Sequence, residues 1–254
     1  MPARAPAHRH RQIVCSAFVA LALAATALAA DSSRHTRLTA RPGAPTESPA
    51  FGLRDLGLAA KRDGFVYVPF NYDPSSPAPL LILLHGAGGS AKRAWIAYAE
   101  MAEPRGIIVL AIDSRSHRTW DIMLGGWGPD VRFIDRALAH VFSHYRIDPA
   151  HIALAGFSDG ASYALSLGAA NGDLFTHLVA FAPGSIRPVA PRGKPRIYLS
   201  HGTEDAILPV DISRRGIVPT LRKAGYDVTY RETNLDHIVD RSISIEMLDW
   251  FLEE

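Results

Sequence analysis

A serine with glycines two positions before and after it, in the run Gly156-Phe157-Ser158-Asp159-Gly160, is the pattern in this sequence best suited to chemistry. A predicted strand, residues 151–155, precedes it, and a run of helical character follows. A strand-to-helix turn this tight crowds the backbone around the serine, so glycines are needed at those two positions. The pattern predicts Ser158 as a nucleophile at a helix N-terminus, where amide groups favour developing negative charge. Alternatively, Ser158 is only the N-cap of an ordinary turn.

A serine hydroxyl is a poor nucleophile near neutral pH, so it needs a base to take its proton and a third group to orient that base. In the strand-turn-helix arrangement the acid, and then the histidine, follow the serine along the chain. Among the later histidines, His177 begins a predicted strand and His201 precedes the candidate acids. His237 is therefore the predicted general base, and the alternative is that it is a surface-loop histidine.

The orienting acid is expected on the loop that follows the predicted strand at residues 196–201. Two acids, Glu204 and Asp205, lie on that loop. Asp205 is far enough into the turn to point back toward the serine, whereas Glu204 is expected to face water. Asp205 is therefore the predicted acid.

Stabilising the oxyanion formed during acyl transfer requires two N–H donors. One is expected from Asp159, which follows the serine, and the other from Ala87, in the glycine-rich run at residues 84–90 after an apolar strand. A phosphate-binding loop is the alternative for this run, but the Gly-Lys-Ser/Thr ending is absent. His85, in the same run, is expected to pack and to form hydrogen bonds rather than to catalyse.

Short β-rich runs alternate with runs of helical period from Gly64 onward. Several of them, such as residues 80–84 and 107–112, are apolar without alternation, which is typical of strands covered on both faces. The predicted strands are residues 65–70, 80–85, 107–112, 151–156, 177–182, 196–201 and 227–231, and the predicted helices are residues 91–102, 130–144, 158–169, 210–223 and 241–252. This order predicts an α/β fold with a mostly parallel central sheet flanked by helices, and with its chemistry at the carboxyl ends of the strands.

The chain has 254 residues, 48% of them hydrophobic, which suffices for one catalytic domain, predicted at residues 61–254. Residues 1–30 combine three arginines, an apolar stretch and a small-x-small site, which predicts a cleaved signal peptide and an exported protein, periplasmic or secreted. A retained membrane anchor is the alternative, but about sixteen apolar residues are few for a span of roughly twenty. Residues 31–60, rich in polar residues and proline, are predicted to form a flexible leader.

Composition argues against several classes of protein. The single cysteine, Cys15, would be lost with the signal peptide, and with it any disulfide, thiolate nucleophile or cysteine-bound zinc. Cleavage would also remove three arginines and change the formal net charge from +2 to −1; no basic run remains, so nucleic-acid binding is not expected. The predicted chemistry needs no metal and no organic cofactor, and the sequence does not indicate an oligomeric state.

The motifs at residues 84–90, 156–160, 201–209 and 237 resemble those of the α/β-hydrolase superfamily, with similarity over about residues 62–254. Within it, the chain is similar to the phospholipase/carboxylesterase group and to secreted polyhydroxybutyrate depolymerase-like and feruloyl esterase-like enzymes. The resemblance implies a serine esterase that hydrolyses small-molecule or polymeric esters through an acyl-enzyme. Two departures concern the substrate: Asp236 stands where many relatives have glycine, and the Trp-Pro-Gly run of some depolymerases is missing.

Other functions remain compatible with the same residues. An acyltransferase or a serine peptidase would use the same triad, and a hydrolase-fold binding module would have lost the chemistry, although an intact set of Ser158, Asp205 and His237 argues against that. About a dozen residues separate the predicted strand that ends near Ala182 from the one that begins near Arg196. Many relatives insert a lid at this place, so an open site without a large cap domain is expected. The loop at residues 113–128 carries Trp120 and Trp127, which are predicted to bind the substrate or, alternatively, to pack against the helices.

Overall fold

One eight-stranded sheet organises the part of the chain that the structure, a computed structural model, describes: residues 35–96, 98–187 and 189–253. The predicted signal peptide, residues 1–30, lies outside the described residues. In chain order the strands are β1 (Gly52–Asp55), β2 (Gly64–Val68), β3 (Ala78–Leu84), β4 (Ile108–Ile112), β5 (Ile147–Phe157), β6 (His177–Phe181), β7 (Arg196–Gly202) and β8 (Val228–Thr233). Across the sheet they lie in the order β1-β2-β4-β3-β5-β6-β7-β8.

Most of the sheet is parallel. Only its first edge is antiparallel, where β1 pairs with β2 and β2 pairs with β4; the pairs from β4 to β8 in this sheet are parallel. Strands β4 and β6 are buried along their whole length, which explains why their sequences are apolar without alternation. The predicted α/β class with a mostly parallel central sheet is therefore confirmed.

Helices cover both faces of this sheet. Those with described bounds are α1 (Ala91–Ile96), α2 (Ala99–Ala102), α3 (Pro129–His144), α4 (Asp159–Ala170), α5 (Val218–Lys223) and α6 (Arg241–Phe251), together with 3₁₀ turns at Glu103–Arg105 and Asp121–Leu124. Among the described residues, no helix combines the length and the apolar character needed to cross a membrane.

Two predicted helices differ from the structure in their interior. The helix expected at residues 91–102 is divided into α1 and α2, with Tyr98 preceding the second. The helix expected at residues 210–223 begins as a π-helical turn, Ile212–Ile217, and becomes α-helical at α5. Pro219 lies in the first turn of α5, and because proline has no N–H, it cannot donate the hydrogen bond that would continue an α-helix from the preceding turn.

Successive side chains of a strand point to opposite faces, so the sheet separates two apolar cores. In β3, Ile82 and Leu84 face the core beneath α3 and α4, whereas Leu81 and Leu83 face the core beneath α1 and α6. We call these sides the α3–α4 face and the α1–α6 face. The division decides on which side of the sheet a residue near the site can act.

Residues 35–60 contact the domain and differ in this from the predicted flexible leader. Leu38 is fully buried in the core of the α3–α4 face, and its backbone N–H donates to Asn171 Oδ1 at 2.9 Å. Asp135 accepts the backbone N–H groups of Thr39 and Ala40, at 2.7 and 2.9 Å. The segment then enters the sheet as β1. Its polar composition hid these contacts because the partners lie far away in the chain.

His177, at the start of β6, is a titratable group buried among aromatic rings. Its ring centroid lies 5.1 Å from that of Trp250 and 5.2 Å from that of Phe251, both edge-on, and it stacks on His151 at 6.2 Å. Its Nε2 is buried and has no hydrogen-bond partner among the described residues. Burial, together with the positive charge of Arg196 and the neighbouring His151, lowers the pKa of His177 to about 4.

Replacing His177 by phenylalanine should flatten the acid side of the stability curve. Because the pKa of His177 is lowered to about 4 in the folded state, the unfolded chain binds the proton more readily. The stability that neutral His177 contributes is therefore complete above about pH 6.5 and is lost as the pH falls toward 4. Through this group the native protein should lose about 3 kcal/mol of unfolding free energy over that range, a loss that His177→Phe should avoid.

Urea unfolding at several pH values between 4 and 7 measures this difference. His117→Gln, which changes an exposed histidine, is the control and should follow the native curve. Parallel curves for the native protein and His177→Phe would contradict the assignment of this pH dependence to His177.

Candidate active site

The turn between β5 and α4 holds Ser158 in a backbone conformation that non-glycine residues rarely adopt, with φ 55° and ψ −118°. The surrounding backbone imposes it. The Ser158 N–H donates to the carbonyl oxygen of Phe181 at 2.9 Å. A Cβ on Gly156 would lie 2.2 Å from the Gly160 oxygen, and a Cβ on Gly160 would lie 2.3 Å from the Leu84 oxygen. Both flanking glycines are therefore required by close backbone packing.

The side chains of Ser158, Asp205 and His237 meet at the carboxyl ends of the parallel strands. Ser158 Oγ lies 2.9 Å from His237 Nε2, and His237 Nδ1 lies 2.6 Å from Asp205 Oδ2. A carboxylate only accepts hydrogen bonds, so Nδ1–H donates to Asp205 and leaves Nε2 to accept the serine O–H. This arrangement can transfer a proton from the hydroxyl to the imidazole. The structure thus brings together three predicted residues that are far apart in the chain.

The carboxylate of Asp205 is fully buried and surrounded by N–H donors. Its Oδ1 accepts the backbone N–H groups of Ile207 at 2.9 Å and Leu208 at 2.7 Å, and its Oδ2 faces His237 and, at 3.2 Å, His201 Nε2. Burial alone would raise the pKa of Asp205, but the hydrogen bonds from Leu208, His237 and Ile207 outweigh it, and the pKa is lowered. Asp205 is therefore held as an anion that keeps the imidazole in one orientation.

His201 is a second histidine beside this carboxylate, and sequence reasoning set it aside because it precedes the acid. Its side chain is fully buried. Nε2–H donates to the Leu208 carbonyl oxygen at 2.8 Å, so Nδ1 is free to accept the hydroxyl of Ser213 at 2.7 Å. His201 thus fixes the loop that carries Asp205. Its position at the end of a buried strand is the signal that it is part of the core near the site.

The loop that carries His237 is held against the end of β7. A Cβ on Gly202 would lie 2.1 Å from the Leu235 carbonyl oxygen, so only glycine allows this approach. The Asp236 carboxylate accepts the backbone N–H of His237 at 2.7 Å. The aspartate that departs from the pattern of many relatives therefore helps to fix the loop. On the other side, the Phe157 ring packs 4.7 Å from the imidazole, centroid to centroid.

The loop after β3 lies directly against the serine turn. A Cβ on Gly86 would lie 3.3 Å from the Ser158 Cβ. Among the described residues, the backbone N–H groups of Ala87 and Asp159 have no hydrogen-bond acceptor. Thr119 Oγ1 donates to Asp159 Oδ2 at 2.6 Å, which holds that side chain away from its own backbone N–H. Two free N–H groups beside the hydroxyl are the arrangement that stabilises a negatively charged oxygen.

His85 supports this loop from below and is buried. The Ser114 N–H donates to its Nε2 at 3.1 Å, so Nδ1 carries the proton and donates to the Gly86 carbonyl oxygen at 2.7 Å. Burial lowers the pKa of His85, which keeps the ring neutral. The Arg62 guanidinium lies 3.2 Å from the same Nε2 and donates to the Gly89 carbonyl oxygen at 3.3 Å. Sequence reasoning missed Arg62, because nothing local to it indicates these partners.

The predicted substrate contacts of Trp120 and Trp127 need correction. Trp120 is fully buried; its Nε1 donates to the His85 carbonyl oxygen at 2.8 Å, and its ring lies 5.1 Å from that of Tyr163. Trp127 is partly buried, with its ring 5.3 Å from that of Tyr163. Both rings belong to the core of the α3–α4 face. They fix the loop at residues 113–128, which is the alternative that the sequence left open.

A cavity of about 510 Å³ lies beside His237 on the α1–α6 face. Gly86 and Ala87 form part of its wall, so it reaches the loop that carries the Ala87 N–H. The rest of the wall is largely apolar and includes Tyr98, Phe157, Phe181, Ile238 and Val239. Sequence reasoning missed this lining; the signal for Phe157 was its place directly before Ser158.

Metal-ligand side chains do not form a cluster in the described part of the chain: no group of three or more His, Cys, Asp or Glu residues is placed to hold an ion. The rings of His140 and His144 lie 4.3 Å apart on one side of α3.

The chain matches the Alpha/beta hydrolase family over residues 81–242. It is 28% identical to feruloyl esterase C from Emericella nidulans over 174 residues. This aligned region covers 63% of this chain and 64% of that protein. It is 27% identical over 203 residues to NocK from Nocardia uniformis subsp. tsuyamanensis, covering 70% of this chain and 54% of NocK. The chain therefore spans less than two thirds of either curated relative.

A solved structure with the same fold is that of a ferulic acid esterase from Anaeromyces mucronatus in complex with ferulic acid. Its TM-score is 0.60 at 18% identity, over 81% of this chain and 91% of that one. At this identity the likeness concerns the fold.

Replacing Gly160 by alanine should destabilise the protein strongly, although alanine favours a helix. The new Cβ would lie 2.3 Å from the Leu84 oxygen and 2.5 Å from the His85 oxygen, so the loop and the helix must separate. We expect the free energy of unfolding to fall by roughly 3 kcal/mol. Gly126→Ala is the matched control: its Cβ meets nothing within 4 Å, and the change should stay within about 0.5 kcal/mol. Urea unfolding compares the two, and equal values would contradict the packing argument.

Proposed function

Because the chain belongs to the Alpha/beta hydrolase family, we propose that it is a serine esterase, which hydrolyses carboxylic esters through an acyl-enzyme. The observation that carries this proposal is the chain of contacts from Ser158 through His237 to Asp205, with distances of 2.9 and 2.6 Å. A hydroxyl that is hydrogen-bonded to an imidazole, itself oriented by a buried carboxylate, is an activated nucleophile.

In the first half of the reaction, Ser158 Oγ attacks the ester carbonyl carbon while its proton moves to His237 Nε2. The carbonyl oxygen becomes negative and is stabilised by the N–H groups of Ala87 and Asp159. When the tetrahedral intermediate collapses, the bond from carbon to the alkoxy oxygen breaks. The proton on Nε2 passes to that oxygen, so a neutral alcohol leaves and the acyl group stays on Ser158.

Water then repeats the sequence. His237 takes a proton from water, the resulting oxygen attacks the acyl carbon, and Ser158 leaves with the proton held on Nε2. Asp205 stays ionised throughout and stabilises the imidazolium that forms in each half-reaction. Its lowered pKa supports this part of the proposal.

The proposed substrate is an ester whose apolar part fits the cavity beside His237. A volume of about 510 Å³ with an aromatic and aliphatic wall suits a ring or a medium acyl chain. The likeness to a protein named feruloyl esterase C supports an ester with an aromatic group.

Turnover of p-nitrophenyl butyrate tests the proposal. Ser158→Ala and His237→Ala should each lower kcat by on the order of a millionfold, because the two groups act as one unit. Asp205→Asn should lower it by about ten thousandfold, since the amide favours the wrong imidazole tautomer. Ser76→Ala, at an exposed serine, is the control and should keep native activity.

A serine-reactive phosphonate provides an independent measurement. Mass spectrometry should locate one adduct on Ser158 in the native protein and none in Ser158→Ala. Product analysis with an added alcohol separates hydrolysis from acyl transfer. Native-level turnover by Ser158→Ala would reject the proposed nucleophile, and absence of both turnover and labelling in the native protein would favour a binding module.

A further inference from the structure

Among the described residues that line the cavity beside His237, Arg93 alone carries a permanent charge. Arg93, in α1, lines it together with apolar residues and the loop at Gly86 and Ala87. The described wall contains no aspartate and no glutamate. A ligand in this cavity therefore meets a single fixed cation, on a wall that is otherwise mainly apolar.

The Arg93 guanidinium forms no hydrogen bond or ion pair with the described residues. Arg93 is exposed, and none of the described carboxylates lies within 4.0 Å of it. Other arginines near the site have structural partners: Arg62 holds the loop after β3, and Arg115 donates to the Lys61 carbonyl oxygen at 2.8 Å. Arg93 differs from them because it lines the cavity and no hydrogen bond or ion pair to another described residue holds its side chain.

A guanidinium beside an apolar wall selects for a ligand that is apolar along its length and anionic at one end. Its planar donors match a carboxylate with two parallel hydrogen bonds, which are stronger than bonds between neutral groups. None of the described residues in the wall is an acid that would compete for the guanidinium or repel an anion. The exposure of Arg93 to solvent weakens the attraction and makes it sensitive to salt.

From this we infer that the substrate carries a carboxylate, which Arg93 binds while the ester carbonyl lies over Ser158. The inference rests on the proposed esterase function and narrows its substrate class to esters with an anionic end. The carboxylate belongs either to the acyl group, as in a half-ester of a dicarboxylic acid, or to the alcohol. The chemistry recognised by Arg93 is the same in both.

Two pairs of substrates, each differing in one charge, distinguish these sources. The acyl pair is the 4-methylumbelliferyl monoester of adipic acid and 4-methylumbelliferyl hexanoate. The alcohol pair is 4-butyryloxybenzoate and its methyl ester. For the pair that matches the natural geometry, Arg93→Gln should lower kcat/KM of the anionic member about tenfold and change the neutral member less than twofold. Arg93→Glu should lower kcat/KM of the anionic member further, because the new carboxylate repels it.

Lys92→Gln is the matched control, because Lys92 is the neighbouring exposed cation on α1 and does not line the cavity. It should leave all four values unchanged. Raising NaCl to 0.5 M should reduce the native preference for the anionic ester and leave Arg93→Gln unaffected. Equal effects of Arg93→Gln on both members of each pair, or no effect on either, would overturn the inference.

The two proposals fail in different ways. Hydrolysis of 4-methylumbelliferyl hexanoate that disappears in Ser158→Ala reports on the esterase alone. The ratio of kcat/KM within a pair reports on Arg93 alone. A working esterase with no charge preference would leave the proposed function in place and reject the carboxylate, whereas no turnover of any of the four esters would reject both.

Discussion

Close backbone contact between the end of β3 and the start of α4 is the constraint on which the rest of the site depends. Leu84 pairs with Gly156 in the parallel register of β3 and β5, and the missing side chain of Gly160 allows α4 to begin against the Leu84 carbonyl. The serine turn and the loop after β3 are therefore in direct backbone contact. Because of it, the N–H groups of Ala87 and Asp159 lie beside the hydroxyl without any side chain having to place them.

A second constraint is electrostatic and acts through Asp205. A buried carboxylate is costly unless its oxygens accept hydrogen bonds, and here two backbone N–H groups and the His237 imidazole donate to them. The result is an anion that cannot turn away from His237. His201 is part of the same arrangement, since it holds the Leu208 carbonyl while Leu208 N–H holds the carboxylate. The hydrogen bonds of Leu208 thus both fix the loop and stabilise the charge of Asp205.

The sequence predicted those parts of the site that depend on local pattern and chain order. The glycines around Ser158 report a turn that only one backbone geometry allows, and the order serine, acid, histidine left His237 as the only suitable base. It could not predict partners that tertiary packing supplies. Arg62, in the connection between β1 and β2, contacts His85, and the Leu38 N–H donates to Asn171, which lies 133 positions further along the chain. Substrate contacts were predicted for Trp120 and Trp127 because composition does not say which face of a sheet a loop covers.

The face that this loop covers also determines where open space remains beside Ser158. On the α3–α4 face the loop at residues 113–128 is tied to the first turn of α3, where Asp130 Oδ2 accepts the Asp121 N–H at 2.6 Å and Asp121 Oδ2 accepts the Asp130 N–H at 2.8 Å. Burial, aided by the neighbouring Asp121, raises the pKa of Asp130 to about 6, so the pair carries an electrostatic cost. Backbone N–H donors offset this cost. The loop that they hold carries Trp120, whose Nε1 donates to the His85 carbonyl oxygen. Since this face is filled by aromatic packing, the space beside Ser158 lies on the α1–α6 face, between His237 and Arg93.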